Sequence, residues 1–176
     1  MWNARGLSAA PLCAQSDAFY GEEGENKMKI EKSIEIAAPP ERIWPFFIDP
    51  EKVLEWSVTF RKFQYTGDQR SGVGTPLYIE EKAGGPLMKM NFMITEWEEN
   101  ERLAFKMTSG APLKSYEQRW TLSPTESGSE FTFYEEIIFP LGIVGGLIGL
   151  VTQGSSYKFV TEMQARLKSL VEVQSD

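Results

Sequence analysis

Histidine is absent from this chain of 176 residues, and cysteine occurs once, at Cys13. Without an imidazole, Ser-His-Asp and Cys-His catalytic arrangements are excluded, as are zinc and iron sites held by histidine. One thiol forms no disulfide framework, so a reducing, cytoplasmic setting is the simpler expectation, with no metal and no cofactor. Any proton transfer would rest on carboxylates, tyrosines or lysines.

Positive charge is also scarce. Eighteen Lys and Arg against 25 Asp and Glu give a net charge of −7, and no long basic run interrupts the chain. Nucleic acid needs a concentrated cationic face and is excluded as a partner; attraction to an anionic membrane surface is disfavoured too. The stretch 137–151 carries no charge, but its 15 residues contain Pro140 and fall short of the roughly 30 Å of a bilayer core, so no stable membrane insertion is expected. The glycine spacings Gly142 to Gly146 and Gly145 to Gly149 read as an adaptable gate beside Pro140, transient membrane contact being the lesser alternative.

Residues 1–27 lack periodicity and lack the apolar core of a secretory signal. They read as a disordered or appended extension, although Trp2, Phe19 and Tyr20 could dock on a surface. A single folded domain is then expected over 28–176, which is long enough to bury a core without disulfide or metal support.

Within that domain the pattern is mostly alternation. Ile30, Ile34 and Ile36 share one face of a strand, with Glu31, Ser33 and Glu35 on the other. Pro39 and Pro40 then open a short helix carrying Ile43, Phe46 and Phe47, which Pro45 interrupts. Asp49 before Pro50 is an N-cap for a second short helix, with Val53, Leu54 and Trp56 as packing residues. Six further strand patterns follow, at 58–65, 75–81, 87–97, 103–108, 116–122 and 131–139, separated by turn residues and expected to form a meander with the first. Gly67 to Gly74 reads as a hairpin, since it lacks the Gly-Lys-Ser/Thr ending of a phosphate loop. The period changes at the end of the chain, where Tyr157, Val160, Met163, Leu167, Leu170 and Val171 mark an amphipathic helix of roughly 20 residues.

The motifs Ala-Ala-Pro-Pro-Glu-Arg-Ile-Trp at 37–44, Asp49-Pro50-Glu51, Trp56, Gly72-Val73-Gly74-Thr75, Ile94-Thr95-Glu96-Trp97, Arg102-Leu103-Ala104-Phe105 and Trp120-Thr121-Leu122 occur in this order. The arrangement resembles the polyketide cyclase/dehydrase and lipid-transport family of the START-like helix-grip superfamily. The resemblance implies an α+β helix-grip fold: a seven-stranded antiparallel sheet wrapped around a long C-terminal helix, with two short helices after the first strand. It also implies an internal cavity for a lipid, polyketide, quinone or similar molecule.

Strand parity supplies the inward candidates. Met88, Met90, Phe92, Phe105, Trp120 and Phe133 would shelter an apolar body, joined by Tyr157 from the helix. Tyr116, Gln118 and Glu135 would orient a polar end. Each aromatic taken singly is more simply a core residue, but a hydroxyl, an amide and a carboxylate on an apolar face need partners. Glu135 and Tyr116 are the candidate acid/base groups. For Glu135, the rarity of buried unpaired carboxylates favours a blander placement: a bulge at Glu135-Glu136 turning it to solvent, or a pairing with a basic residue such as Lys32. The expected function is carriage or sensing of an apolar or amphipathic small molecule by a monomer or homodimer. An aromatase/cyclase-type enzyme is the alternative, and a protein-interaction module on the outer sheet face the third.

Overall fold

The computed structural model describes residues 27–140 and 142–173, the stretch 142–155 by its backbone alone. The element order is β1 (Lys27–Ile36), α1 (Pro40–Ile43), α2 (Pro45–Ile48), α3 (Pro50–Trp56), β2 (Phe60–Tyr65), β3 (Pro76–Glu81), β4 (Met88–Glu98), β5 (Arg102–Ser109), β6 (Ser115–Thr125), β7 (Gly128–Ile138) and α4 (Gly142–Val173). The expectations for Trp2, Cys13, Phe19 and Tyr20 lie outside the described residues.

All seven strands form one sheet in the order β1-β7-β6-β5-β4-β3-β2, antiparallel throughout. Strands β2 to β7 follow one another as a meander. The expected seven-strand meander is corrected only at β1, which crosses over through the three helices to pair with β7 and leaves β1 and β2 as the edges.

Pro45 has a sharper effect than distortion. It divides the first expected helix into α1 and α2, because its ring allows no amide donor at that point, and Trp44 serves as the joint between them. Asp49 caps α3 as the sequence predicts, its carboxylate accepting from the Glu51 amide at 3.0 Å. Val53 and Trp56 are buried by α3, whereas Leu54 points outward and is exposed.

The final helix runs for 32 residues, about 48 Å, rather than the expected 20 or so. Its backbone takes in the glycine-rich run because no proline follows Pro140 to stop it. Four contacts tie α4 to β1 and to the segment that follows it as far as α1: Gln164 Nε2 donates to the Lys32 carbonyl (2.7 Å), Lys168 Nζ to the Glu35 carbonyl (2.8 Å), the Ala37 amide to Glu172 Oε1 (2.8 Å), and Arg42 to the Val171 carbonyl (3.1 Å).

The core lies between the concave sheet face and α4. At the end nearest α2 and α3, Trp120 is ringed by Trp56, Phe105 and Phe47 with ring centroids 5.0, 5.1 and 5.4 Å away, and Phe131 sits 5.1 Å from Phe47. Tilted and edge-on aromatic pairs of this kind add about 0.5–1.5 kcal/mol each beyond their area burial. The outer sheet face is wet and charged: Arg102 and Arg119 both reach Glu96, at 3.2 and 3.1 Å, and Lys27 reaches Glu136 at 2.9 Å. Such exposed pairs contribute about 0–1 kcal/mol each and chiefly keep that face solvated.

Candidate functional site

At the far end of the inner face the chemistry changes. Inward parity on β6 places Tyr116, Gln118, Trp120 and Leu122 in one row, and on β7 Phe131, Phe133, Glu135 and Ile137 in the next. The register sets Gln118 opposite Glu135 and Ile30 of β1 on its other side. Pairing around Glu135 is continuous, with register shifts confined to the β2–β3 and β4–β5 pairings, so the bulge that would have turned it to solvent is absent. Glu135 is buried, and Lys32 is not its partner: the Lys32 ammonium donates to the Tyr157 hydroxyl at 3.0 Å and lies over that ring.

What Glu135 meets instead is a second carboxylate. Tyr116 Oη lies 2.9 Å from Glu135 Oε2 and 2.9 Å from Glu81 Oε2. Glu81 stands on β3, three strands from β6, a separation of about 14 Å on a flat sheet. Only a strongly curled sheet lets the two side chains meet over its concave face. Gln118 Nε2 donates to Tyr116 Oη at 2.6 Å and to Glu135 Oε2 at 3.0 Å. The amide's orientation is fixed from behind, because the Trp120 indole is donor only and gives its hydrogen to Gln118 Oε1 at 3.2 Å.

One shared proton satisfies the hydrogen count of this group. A phenol has one hydrogen, so Tyr116 donates to one carboxylate and accepts from whatever faces it at the other. Both short contacts are satisfied when one carboxyl carries a proton and the other does not. The electrostatics agree. Burial pushes the Glu135 carboxyl up to about 8, Glu81 adding repulsion, while the hydrogen bonds from Tyr116 and Gln118 pull the other way. Burial likewise raises Glu81 against hydrogen bonds from Tyr116 and Thr59, and Tyr116 is held well above its usual range by burial and the two carboxylates. Tyr116 therefore remains a phenol, and the two glutamates, both raised by burial, titrate as a coupled pair in which one shared proton satisfies both contacts.

Around this group the structure places the expected apolar residues. Phe92 packs its ring 5.5 Å from both Tyr116 and Phe105, Met90 and Phe133 are buried, and Met88 is half-buried beside them. Tyr157 stands apart, 42% exposed and engaged with Lys32, a correction to its expected place among the enclosing residues. Its position follows the helix stripe, but its side chain lies at the β1 edge, against the Lys32 ammonium.

Two buried carboxyl or amide side chains went unrecognised in the sequence. Glu81 follows Leu77 and Ile79 on the inward parity of β3 and was legible there. Gln164 lies on the buried stripe of α4 between Val160 and Leu167, fully buried, and its Oε1 has no hydrogen-bond partner. No group of three or more metal-ligating side chains occurs among the described residues, nor does any described helix have the length and apolarity to cross a membrane. A shallow groove along Ala165, Lys168, Ser169, Glu172 and Val173 faces solvent and shares no residue with this group.

A curled seven-stranded antiparallel sheet closed on a long C-terminal helix, with short helices after the first strand, defines the helix-grip class. The chain belongs to the polyketide cyclase/dehydrase and lipid-transport family, whose model matches residues 27–174. Among solved structures it is similar to TTHA0849 from Thermus thermophilus, at 21% identity and a TM-score of 0.68 over 85% of this chain and 99% of that one. The Zhui aromatase/cyclase from a Streptomyces species superposes with a TM-score of 0.67 at 10% identity, covering 85% and 96%. A START superfamily protein from Mycobacterium smegmatis gives 0.66 at 16% identity, covering 84% and 99%. At these identities the likeness speaks for the fold alone. No curated protein matches the chain significantly.

Proposed function

We propose that this protein is a cytoplasmic carrier or sensor that binds an apolar or amphipathic small molecule between the concave sheet face and α4. The single observation that supports this reading is the buried Glu81, Tyr116, Gln118 and Glu135 group among apolar side chains. Burying two carboxyls costs free energy, and a core built for stability alone would use hydrophobic residues there. Methionines 88 and 90, with Phe92, Phe105, Trp120 and Phe133, would enclose the ligand's apolar part, the thioethers adapting to its shape. Native mass spectrometry of freshly purified protein tests this. A retained apolar molecule supports the reading, and failure to bind any long-chain amphiphile removes it.

A second reading is favoured by a specific observation: Glu135, with its carboxyl pushed up to about 8, is hydrogen-bonded to a phenol that stays protonated. A carboxyl tuned near neutrality can pass a proton in either direction, as the cyclisation or aromatisation of a polyketide-like substrate requires. On that reading Glu135→Gln abolishes turnover of such a substrate while leaving its binding intact, and equal loss of both would remove the catalytic role.

A further inference from the structure

We propose that the interior site selects a ligand whose polar end donates hydrogen bonds, a hydroxyl or an amine on an apolar body, and turns away a carboxylate. The proposal rests on the ligand-binding reading above and names the chemistry of the ligand. Two independent features of the interior carry it.

The first is a buried acceptor on the sheet-facing side of α4 that lacks a donor. Gln164 Nε2 is committed to the carbonyls of Lys32 (2.7 Å) and Phe131 (3.5 Å), which fixes the side-chain oxygen as the other atom of the amide. That oxygen is buried on the sheet-facing side of α4 without a partner, and what it lacks is a donor. Gln164 reaches the carbonyls of Lys32, which pairs with Phe133, and of Phe131, two and four residues along β7 from Glu135, so it stands about 7–14 Å along the strand from the level of the carboxyl pair. Within the pair's own network, the Tyr116 hydroxyl, the Gln118 amide and the single shared proton are already engaged.

The second is an uncompensated negative charge. Holding one proton between them, Glu81 and Glu135 keep one negative charge, and neither forms an ion pair among the described residues. The connection from β7 into α4 supplies no cation either, since residues 137–157 contain no charged side chain at all. A carboxylate ligand placed here would lose its hydration beside a like charge, and the inward-facing Lys32 ammonium is already held by the Tyr157 hydroxyl on α4. An alcohol or amine would satisfy the acceptors it meets.

Calorimetric titration of the full chain at pH 7 with 1-dodecanol, dodecylamine and dodecanoate separates these cases at constant chain length. The expected result is that dodecanol and dodecylamine each bind at least about tenfold more tightly than dodecanoate, the order of effect of leaving a buried charged group unpaired. Dodecanol carries no charge, so its advantage cannot come from attraction to the acidic surface. The double variant Glu81→Gln with Glu135→Gln should narrow the gap to about threefold or less by admitting dodecanoate. Gln164→Leu leaves the carboxyl pair intact and should weaken dodecanol about fivefold without improving dodecanoate. Dodecanoate binding to the native chain as tightly as dodecanol overturns the proposal alone. Absence of binding by all three probes overturns the ligand-binding reading with it.

Discussion

Trp120 and Tyr116 lie four residues apart on the same face of β6, both buried, yet their surroundings are of opposite kinds. Trp120 is enclosed by Trp56, Phe47, Phe63 and Phe105, and ring-on-ring packing dominates its surroundings. Tyr116 meets two carboxyls and an amide. The strands and the curl of the sheet are common to both ends, so the difference comes from side chains alone. The aromatic end holds the fold, and the polar end is tolerated by it. If that division is real, substitutions at the two ends should differ in both size and pH dependence.

The largest effect should come from Trp120→Ala. It empties the centre of the aromatic end, where rigid neighbours on β2, β5, α2 and α3 cannot collapse inward, and should cost about 3–5 kcal/mol in chemical denaturation. The cavity left behind does not titrate, so most of the loss should be present at both pH 5 and pH 8. A loss under about 1 kcal/mol would mean that this end is not the stabilising one.

The polar end should instead make stability depend on pH. A carboxyl whose pKa is raised by folding binds its proton more tightly in the folded state than in the unfolded one. For Glu135, raised from 4.5 to about 8, the folded chain therefore holds the extra proton across that window. Stability is full below about 4.5 and falls as pH rises toward 8, with a limiting slope of about 1.4 kcal/mol per pH unit for one proton. Glu81 is shifted in the same direction, while Glu136 on the outer face is lowered and acts only at more acidic pH. Urea denaturation between pH 5 and 8 should show the fall, and Glu135→Gln should remove most of it and leave the protein more stable at pH 8 than the native chain. A native chain equally stable at both ends of that range would break the comparison.

Much of the aromatic end was legible in the sequence because it rests on local signals. Asp49 and Pro50 specify the start of α3, Pro45 marks the break before α2, and alternation gives the inward rows of β6 and β7 that carry Trp120 and Phe133. The polar end was half legible. Parity alone finds Tyr116, Gln118 and Glu135 on one face. The Glu81 contact depends on how far the sheet curls between β3 and β6, a property of the whole sheet that no strand carries by itself. The same blindness suggested Lys32 as the partner of Glu135. Parity put it on the correct face, but α4 draws its ammonium away to Tyr157. The expected length of α4 fell short because glycine lowers helix propensity locally without forbidding a helix that tertiary packing supports.

The smallest effect sharpens the contrast within the aromatic end itself. Trp56 and Trp44 are both buried, but the Trp56 indole donates to the Phe46 carbonyl at 2.8 Å while the Trp44 indole nitrogen has no partner. A buried donor without a partner costs about 1–3 kcal/mol, so Trp44→Phe removes that penalty as it removes part of a ring packed against Phe47 and Trp97. The two terms oppose each other, and the net change in denaturation free energy should stay within about 1 kcal/mol. Trp56→Phe has no such offset. It loses ring contacts with Phe47, Trp120 and Phe131 and strips the Phe46 carbonyl of its donor, and should cost at least about 1 kcal/mol more than Trp44→Phe. Equal losses from the two substitutions would mean that the Trp44 nitrogen is satisfied in solution, as the Trp56 nitrogen is.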